Sequence, residues 1–295
     1  MYGVLNLFKP PGYSSHDMVQ VVRKQLNEKR VGHCGTLDPG AAGLLVVLVG
    51  RATRIQEYLT CMDKVYVAEL TFGLATDTGD GFGSLIEQGE YPEKVTHFEG
   101  VFSDFTGTIE QIPPMTSAIK HQGTPLYRLA HQGLCVEREP REVQVDSISM
   151  LQWRPGPPPR ALLRIACSAG TYIRVLLSEL ARAAQSCGYM SFLVRERVGD
   201  FELGNAFVPG DISERVLIPL ADSLDFMPGI CLNQRDTYLA SHGAAPRDID
   251  LEQIPLHKPV KLIEPSGRLL AISEIVRSTD GVKQISLLKV FPSTI

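Results

Sequence analysis

The sequence predicts a chain of mixed helices and strands that closes with a small all-β unit, and three observations predict it. Apolar residues recur at helical spacing over 16–27 and again from Ile173 to Leu180. Between these lie apolar or alternating runs of strand length, among them LLVVLVG (44–50) and DKVYVAELTFG (63–73). Past about residue 228 the pattern shortens to alternating segments cut by Pro-Ser-Gly and Asp-Gly turns, which puts a boundary between units 1–228 and 229–295. The chain's 295 residues, 44% hydrophobic and 21% charged, fit a globular protein of one large domain or two with ample core.

Each element follows from its own stretch. NLFKPPGYSSHD (6–17) opens as a short apolar strand and turns at Pro10-Pro11-Gly12. Ser14 or Ser15 then caps a helix whose Met18, Val21, Val22 and Leu26 share one face. RVGHCGTLDPGAAG (30–43) is a loop with four glycines and a single acid, Asp38, with His33 just upstream. Asp before Pro and glycines at positive φ are ordinary turn chemistry, so the loop alone is explained by a turn. The run 44–49 is a fully buried strand. DKVYVAELTFG alternates, with Lys64, Tyr66, Ala68 and Leu70 on one side and Val65, Val67 and Glu69 on the other, as in a half-exposed strand.

ATDTGDGFG (75–83) is a turn cluster. The segment 115–140, with Lys120, His121, Arg128 and His131 among prolines, reads as a mobile surface stretch. WRPGPPPR (153–160) is a stiff loop between two strands. ALLRIACSAGTYIRVLLSELARAAQSCG (161–188) is a strand, a turn at Gly170 and a helix that Gly188 terminates. SFLVRERVGDF (191–201) is another extended element.

Composition excludes several classes. No apolar run approaches the roughly 18 residues of a membrane helix, and the N-terminus lacks the pattern of a signal peptide. Six cysteines with no CxxC pair argue against a zinc ribbon and a disulfide framework, so a reducing cytoplasm is expected. The net charge of −4 hides an uneven distribution. Residues 1–60 carry seven Lys/Arg against four acids and 154–200 carry seven Arg against three, whereas 69–110 carry nine acids and one Lys. Two basic regions can therefore meet a nucleic acid although the total is acidic.

Seven segments in order resemble one family: GVLNLFKPPGYSS, VGHCGTLDPGAAGLL, DKVYVA, TDTGD, PPMTSAIK followed by Gln122-Gly123, CSAGTYIR and FLVRERVG. The chain is similar over about 1–200 to the bacterial tRNA pseudouridine-55 synthases, the TruB family. Its C-terminal segment looks like the PUA-type RNA-binding module that such enzymes often carry. The resemblance implies an α+β catalytic domain with a mixed, largely antiparallel sheet, plus a small C-terminal β-barrel-like PUA-type domain. It implies conversion of a T-loop uridine of tRNA to pseudouridine: the base is flipped out, its N1–C1′ bond cleaved, and the base turned and rejoined through C5. The family uses no metal, nucleotide or organic cofactor, and the sequence has no Walker loop, dinucleotide fingerprint or metal-ligand spacing.

By the same resemblance Asp38 is the catalytic carboxylate. Three roles stay open: attack at C1′, attack at C6, or removal of a sugar proton. Arg174 is its counter-ion, with a planar fork suited to bidentate pairing. Tyr66 stacks on the flipped base and offers a hydroxyl near C5. His33 contacts RNA beside the flipped nucleotide, and Tyr172 and Leu193 line the uracil pocket. The segment 115–140 closes over the T-arm. The implied partner is tRNA alone, with no membrane, guide RNA or obligatory protein, and a single bulky substrate suits a monomer. Departures from the family pattern fall at Phe8, Ala42, Thr116, Arg128, His131 and Val194 and leave Asp38, Tyr66 and Arg174 in place. Competing readings are a guide-RNA-dependent relative, a tRNA-folding chaperone, and a metal-dependent hydrolase built on Asp38, Asp77 and Asp80.

Overall fold

The structure, a computed structural model, describes residues 1–291 apart from 93, 248, 250 and 253; the side chain of His131 also lies outside the described residues. The chain begins with β1 (Gly3–Lys9), α1 (Ser15–Leu26), β2 (Val31–Cys34), β3 (Ala42–Val49), α2 (Gln56–Thr60) and β4 (Lys64–Phe72). A hairpin of β5 (Leu74–Thr76) and β6 (Leu85–Gln88) follows, then α3 (Val95–Gly100) and β7 (Gly107–Gln111). The stretch expected as mobile holds a two-residue ladder, β8 (Lys120–His121) and β9 (Thr124–Pro125), and α4 (Leu126–His131). Then come β10 (Arg141–Arg154), β11 (Arg160–Cys167), α5 (Ile173–Ala183), β12 (Gly188–Val198) and β13 (Phe201–Glu202).

The main sheet runs β1-β3-β12-β4-β11-β10-β7, with β2 joined to β3 and β13 to β12. Its pairs are antiparallel except β12 on β3, which is parallel at Val194 and Arg195 against Ala42 and Gly43. This is the mixed, largely antiparallel α+β sheet that the motifs imply. β3 is buried along its whole length, as its unbroken apolar run predicts.

β4 corrects the sequence reading. It is buried nearly throughout, not half-exposed, because it lies between β12 and β11 near the sheet's middle. Its polar side chains are accommodated singly: Glu69 accepts from Ser191 Oγ at 2.7 Å, and Lys64 donates to the Thr60 carbonyl at 2.9 Å. Gly188 is a second correction. α5 ends at Ala183 and Gln185 takes the left-handed turn (φ 58°), while Gly188 opens β12. A Cβ there would stand 2.6 Å from Leu70 Cδ1 and 2.9 Å from Ala181 Cβ, so the glycine lets helix and sheet approach. On α1 it is Val19, not Val21, that joins Met18, Val22 and Leu26 in the core.

The remaining strands, β14 (Gly229–Cys231), β15 (Pro259–Ile263), β16 (Leu269–Arg277) and β17 (Lys283–Val290), form a second sheet in that order. One helix, α6 (Gln234–Ser241), which the alternating pattern does not reveal, packs on it. This sheet has its own core around Val260, Leu262, Leu270 and Ile275. Leu269, Ile272 and Phe291 turn the other way and share a core with Val4, Leu44 and Val46 of the main sheet. Lys289 adds a bond to the Arg54 carbonyl at 2.6 Å and an ion pair with Glu57 at 2.9 Å.

Candidate active site

The loop between β2 and β3 is held from behind at alternate residues, Gly35, Leu37 and Pro39. Ser14 caps α1 with a reciprocal Asp17 box, which frees Ser15 for another task. Ser15 Oγ donates to the Leu37 carbonyl at 3.0 Å and accepts from the Leu37 N–H at 2.9 Å. The Gly12 N–H donates to the Pro39 carbonyl at 2.8 Å. Lys9 Nζ donates to that carbonyl at 3.3 Å and to Tyr13 O at 2.6 Å. Arg195, fully buried on β12, spans the loop: its Nε donates to Leu44 O at 2.8 Å and its Nη2 to Gly35 O at 3.0 Å. Leu37 and Ala41 bury their side chains on either side of Asp38.

The loop's glycines are used within the protein. A Cβ on Gly40 would fall 2.0 Å from the Phe82 ring, and one on Gly43 (φ 113°) would fall 2.4 Å from the Arg195 carbonyl oxygen.

Asp38 projects from this frame with its side chain 36% exposed, against 6% for Arg174. Arg174 sits in the first turn of α5, and its Nε meets Asp38 Oδ2 at 2.9 Å. The pairing is through one nitrogen, not the bidentate fork expected from sequence. Both terminal nitrogens bond elsewhere: Nη1 to Thr78 O (2.8 Å) and Thr116 Oγ1 (2.6 Å), and Nη2 to Thr116 O (3.2 Å). Asp80 Oδ2 lies 3.8 Å from the same Nε. A guanidinium thus occupies the space between Asp38 and Asp80, and Asp77 is turned away to accept from the Ser84 N–H at 2.8 Å. The hydrolase reading loses its shared cation site.

A cleft of about 230 Å³ opens in front, lined by Asp38, Gly40, Asp80, Phe82, Met190 and Leu193 among others. Of the residues singled out from sequence, Asp38 and Leu193 line it and Arg174 reaches Asp38 from the protein side. Tyr66 is buried in β4, paired with Arg195 on β12 and Ile165 on β11. Burial pushes its phenol up, with Arg195 pulling against that, so the hydroxyl stays protonated at neutral pH. His33 on β2 and Tyr172 at the N-cap of α5 are not among the cleft-lining residues. Burial, helped by Arg195 and His16, pulls the His33 ring down, so it is neutral at pH 7.

Sequence reasoning passed over Lys9 and Arg195, and it met Asp80 only as a metal-ligand candidate and Thr116 only as a departure from the family pattern, so all four roles at the site went unread. All four lie inside motifs quoted for the resemblance, yet none stands beside a residue whose chemistry draws attention to it. Lys9 and Arg195 are buried cations that donate to main-chain carbonyls of the Asp38 loop, while the buried Lys64 donates to the Thr60 carbonyl before β4. Burial brings the Lys9 amine down to about 8, with Asp38 pulling it back up, and burial does the same to Lys64, with Arg195 adding to it.

A carboxylate held against a buried arginine, at the mouth of a base-sized cleft on this mixed sheet, defines an enzyme active site. Residues 23–173 match the model of the TruB family pseudouridylate synthase N-terminal domain. The tRNA pseudouridine synthase B of Symbiobacterium thermophilum is 46% identical over 248 residues, which is 83% of each chain. That of Pelotomaculum thermopropionicum is 39% identical over 94% of this chain and 92% of its own length. Among solved structures, a chain of a Cbf5–Nop10–Gar1 complex superposes with a TM-score of 0.74 at 26% identity, covering 98% of this chain and 85% of that one. The chain belongs to the TruB family of pseudouridylate synthases.

Proposed function

We propose that the protein isomerises one uridine of the tRNA T-loop, position 55, to pseudouridine, with Asp38 as the catalytic carboxylate. The observation that carries this is the Asp38–Arg174 contact of 2.9 Å on a loop clamped from behind, beside a cleft of about 230 Å³. That volume suits a single flipped base better than a larger ligand, for which pockets run to roughly 300–1,000 Å³. Extruding the base costs a few kcal/mol of unstacking, and a preorganised site offsets that.

In the reaction the N1–C1′ bond breaks, the base turns, and a C5–C1′ bond forms. C5 then gives up its proton and N1 ends with one, so the product is an isomer and no oxidant, reductant or group donor is consumed. Asp38 works as the ionised group at the sugar or base. Arg174 holds it in one orientation, because its terminal nitrogens are fixed on Thr78 and Thr116. Tyr66 supplies an aromatic face and a protonated hydroxyl beneath the base. Leu193 forms the pocket wall, and His33 and Tyr172 contact the RNA around it.

The segment 115–140 acts as an RNA-contacting arm. Thr116, at its start, is already tied to Arg174. Residues 229–295 act as a PUA-type RNA-binding unit. A second groove, of about 740 Å³, supports this: Arg54, Gly170 and Lys289 line it where the C-terminal sheet faces the β11–α5 turn. The protein works as a monomer on free tRNA, in the cytoplasm, without a guide RNA.

The test is to incubate the protein and its Asp38→Asn variant with an unmodified tRNA transcript in EDTA and map pseudouridine chemically. Product at the T-loop uridine from the wild type alone is expected. Product from both would remove Asp38 from the chemistry, and product from neither, with tRNA bound, would make the loop a binding element.

A further inference from the structure

Phe82 is 81% exposed, the most exposed large apolar side chain among those described, and it stands on the rim of the Asp38 cleft. An aromatic ring left in water on a floppy loop would mean little, but this loop is stitched tightly. Thr76 Oγ1 donates to Asp80 O at 2.6 Å, and the Asp77 N–H donates to Ser84 O at 3.1 Å. The Gly81 N–H donates to Met190 O at 3.2 Å and the Met190 N–H to Gly79 O at 3.0 Å, which sews the loop to β12. Asp80 is shared: one oxygen faces Arg174, and the other accepts from Thr78 Oγ1 at 2.7 Å and from the Phe82 N–H at 3.0 Å. One edge of the ring rests on Gly40, two residues from Asp38, where any side chain would collide with it. Phe192, 47% exposed, lines the same cleft.

We propose that Phe82, with Phe192 beside the cleft, is a stacking platform for an unpaired nucleobase next to the one that enters the Asp38 pocket. The inference rests on the reading of the substrate as RNA. A ring on a stitched backbone, with one edge on Gly40 and a free face, matches what single-stranded nucleic acid offers: once one base is flipped out, its neighbour loses a stacking partner and needs another π-face. A stack of this kind accepts any base, so Phe82 contributes affinity without choosing sequence. Because Phe82 is fixed through Asp80 to Arg174, a base seated there is held in register with Asp38.

The experiment uses the full-length protein and an unmodified T-arm stem–loop RNA. Phe82→Ala should raise both Kd and KM for the RNA about 5- to 150-fold, the range a lost base–aromatic stack commands. Phe82→Tyr should stay near the wild type, and the turnover at saturation should change little, as for binding made equally in ground and transition states. Phe82→Trp adds a reporter: its emission should be quenched when RNA binds. The chain's one other tryptophan, Trp153, packs in the core against Phe72 and gives the wild-type baseline. Unchanged affinity in Phe82→Ala overturns the platform. So does lost affinity without quenching in Phe82→Trp, which would assign the effect to the loop. If the wild type makes no pseudouridine, the proposed function fails, while the tryptophan signal still decides the stacking.

Discussion

Two loops meet at Arg174, and they are built in opposite ways. The loop 35–41 that carries Asp38 has a turn bond of its own from the Ala41 N–H to the Asp38 carbonyl at 3.0 Å and takes the rest of its support from elsewhere. Ser15, Lys9 and Arg195, from three other elements, hold its carbonyls and amides. The loop 77–84 that carries Asp80 and Phe82 is largely self-supporting, with Thr76, Asp77, Thr78 and Asp80 bonding within it. The comparison teaches that one carboxylate at the cleft can be positioned by distant residues while its neighbour is positioned by local turn chemistry. Damage to the first should come from far along the chain, and damage to the second from within.

The largest expected effect is at the meeting point. Arg174→Lys cannot serve Asp38, Thr78 and Thr116 together, so single-turnover pseudouridine formation should fall by about 100-fold or more while circular dichroism stays unchanged. Next, Arg195→Met leaves the Gly35 and Leu44 carbonyls without their donor. Urea unfolding should show a loss of about 2–4 kcal/mol. If stability held, the loop would not depend on its distant clamp.

Ser15→Ala removes both bonds to Leu37 but leaves the Ser14 cap, and a loss of about 1–2 kcal/mol is expected in the same measurement. In the self-supporting loop, Asp77→Ala should cost only about 0.5–1 kcal/mol, since its one bond to Ser84 is half in solvent. An effect equal to that of Arg195→Met would erase the contrast.

A pH dependence tests the clamp in another way. The Lys9 amine titrates near 8 in the folded protein and at its ordinary 10.5 when unfolded. Between those values the unfolded state binds the extra proton, so this term makes folding more favourable as pH rises from 8 towards 10.5. Wild type should therefore gain stability on Lys9→Met over that window in parallel urea titrations. A constant difference would place the amine in water.

Local chemistry was legible where the chain settles matters within a few residues. The buried run of β3, the Ser14 cap, the turn at Gly170 and the TDTGDG cluster all follow from nearest neighbours. β4 was misread because its alternation describes the chain, whereas its burial depends on lying between β12 and β11. The helix end was misread for a similar reason: Gly188 is demanded by Leu70 and Ala181, which are distant in sequence. At the site, the pairing of Asp38 with Arg174 was legible through motif resemblance. Their geometry was not, since the single-nitrogen contact depends on Thr116 and Thr78 claiming the rest of the guanidinium.

The sequence by itself determined the family, the carboxylate and its arginine, and the change of pattern past residue 228. Those are properties of residue types in order, and order survives without coordinates. Only the tertiary structure decided that two buried cations, Lys9 and Arg195, back the Asp38 loop, that Asp80 shares Arg174, and that Phe82 rests on Gly40 with its face to solvent at the cleft. Each of these is a contact between segments tens of residues or more apart. The packing of the sheet chooses such contacts from among many that the same residues could have made.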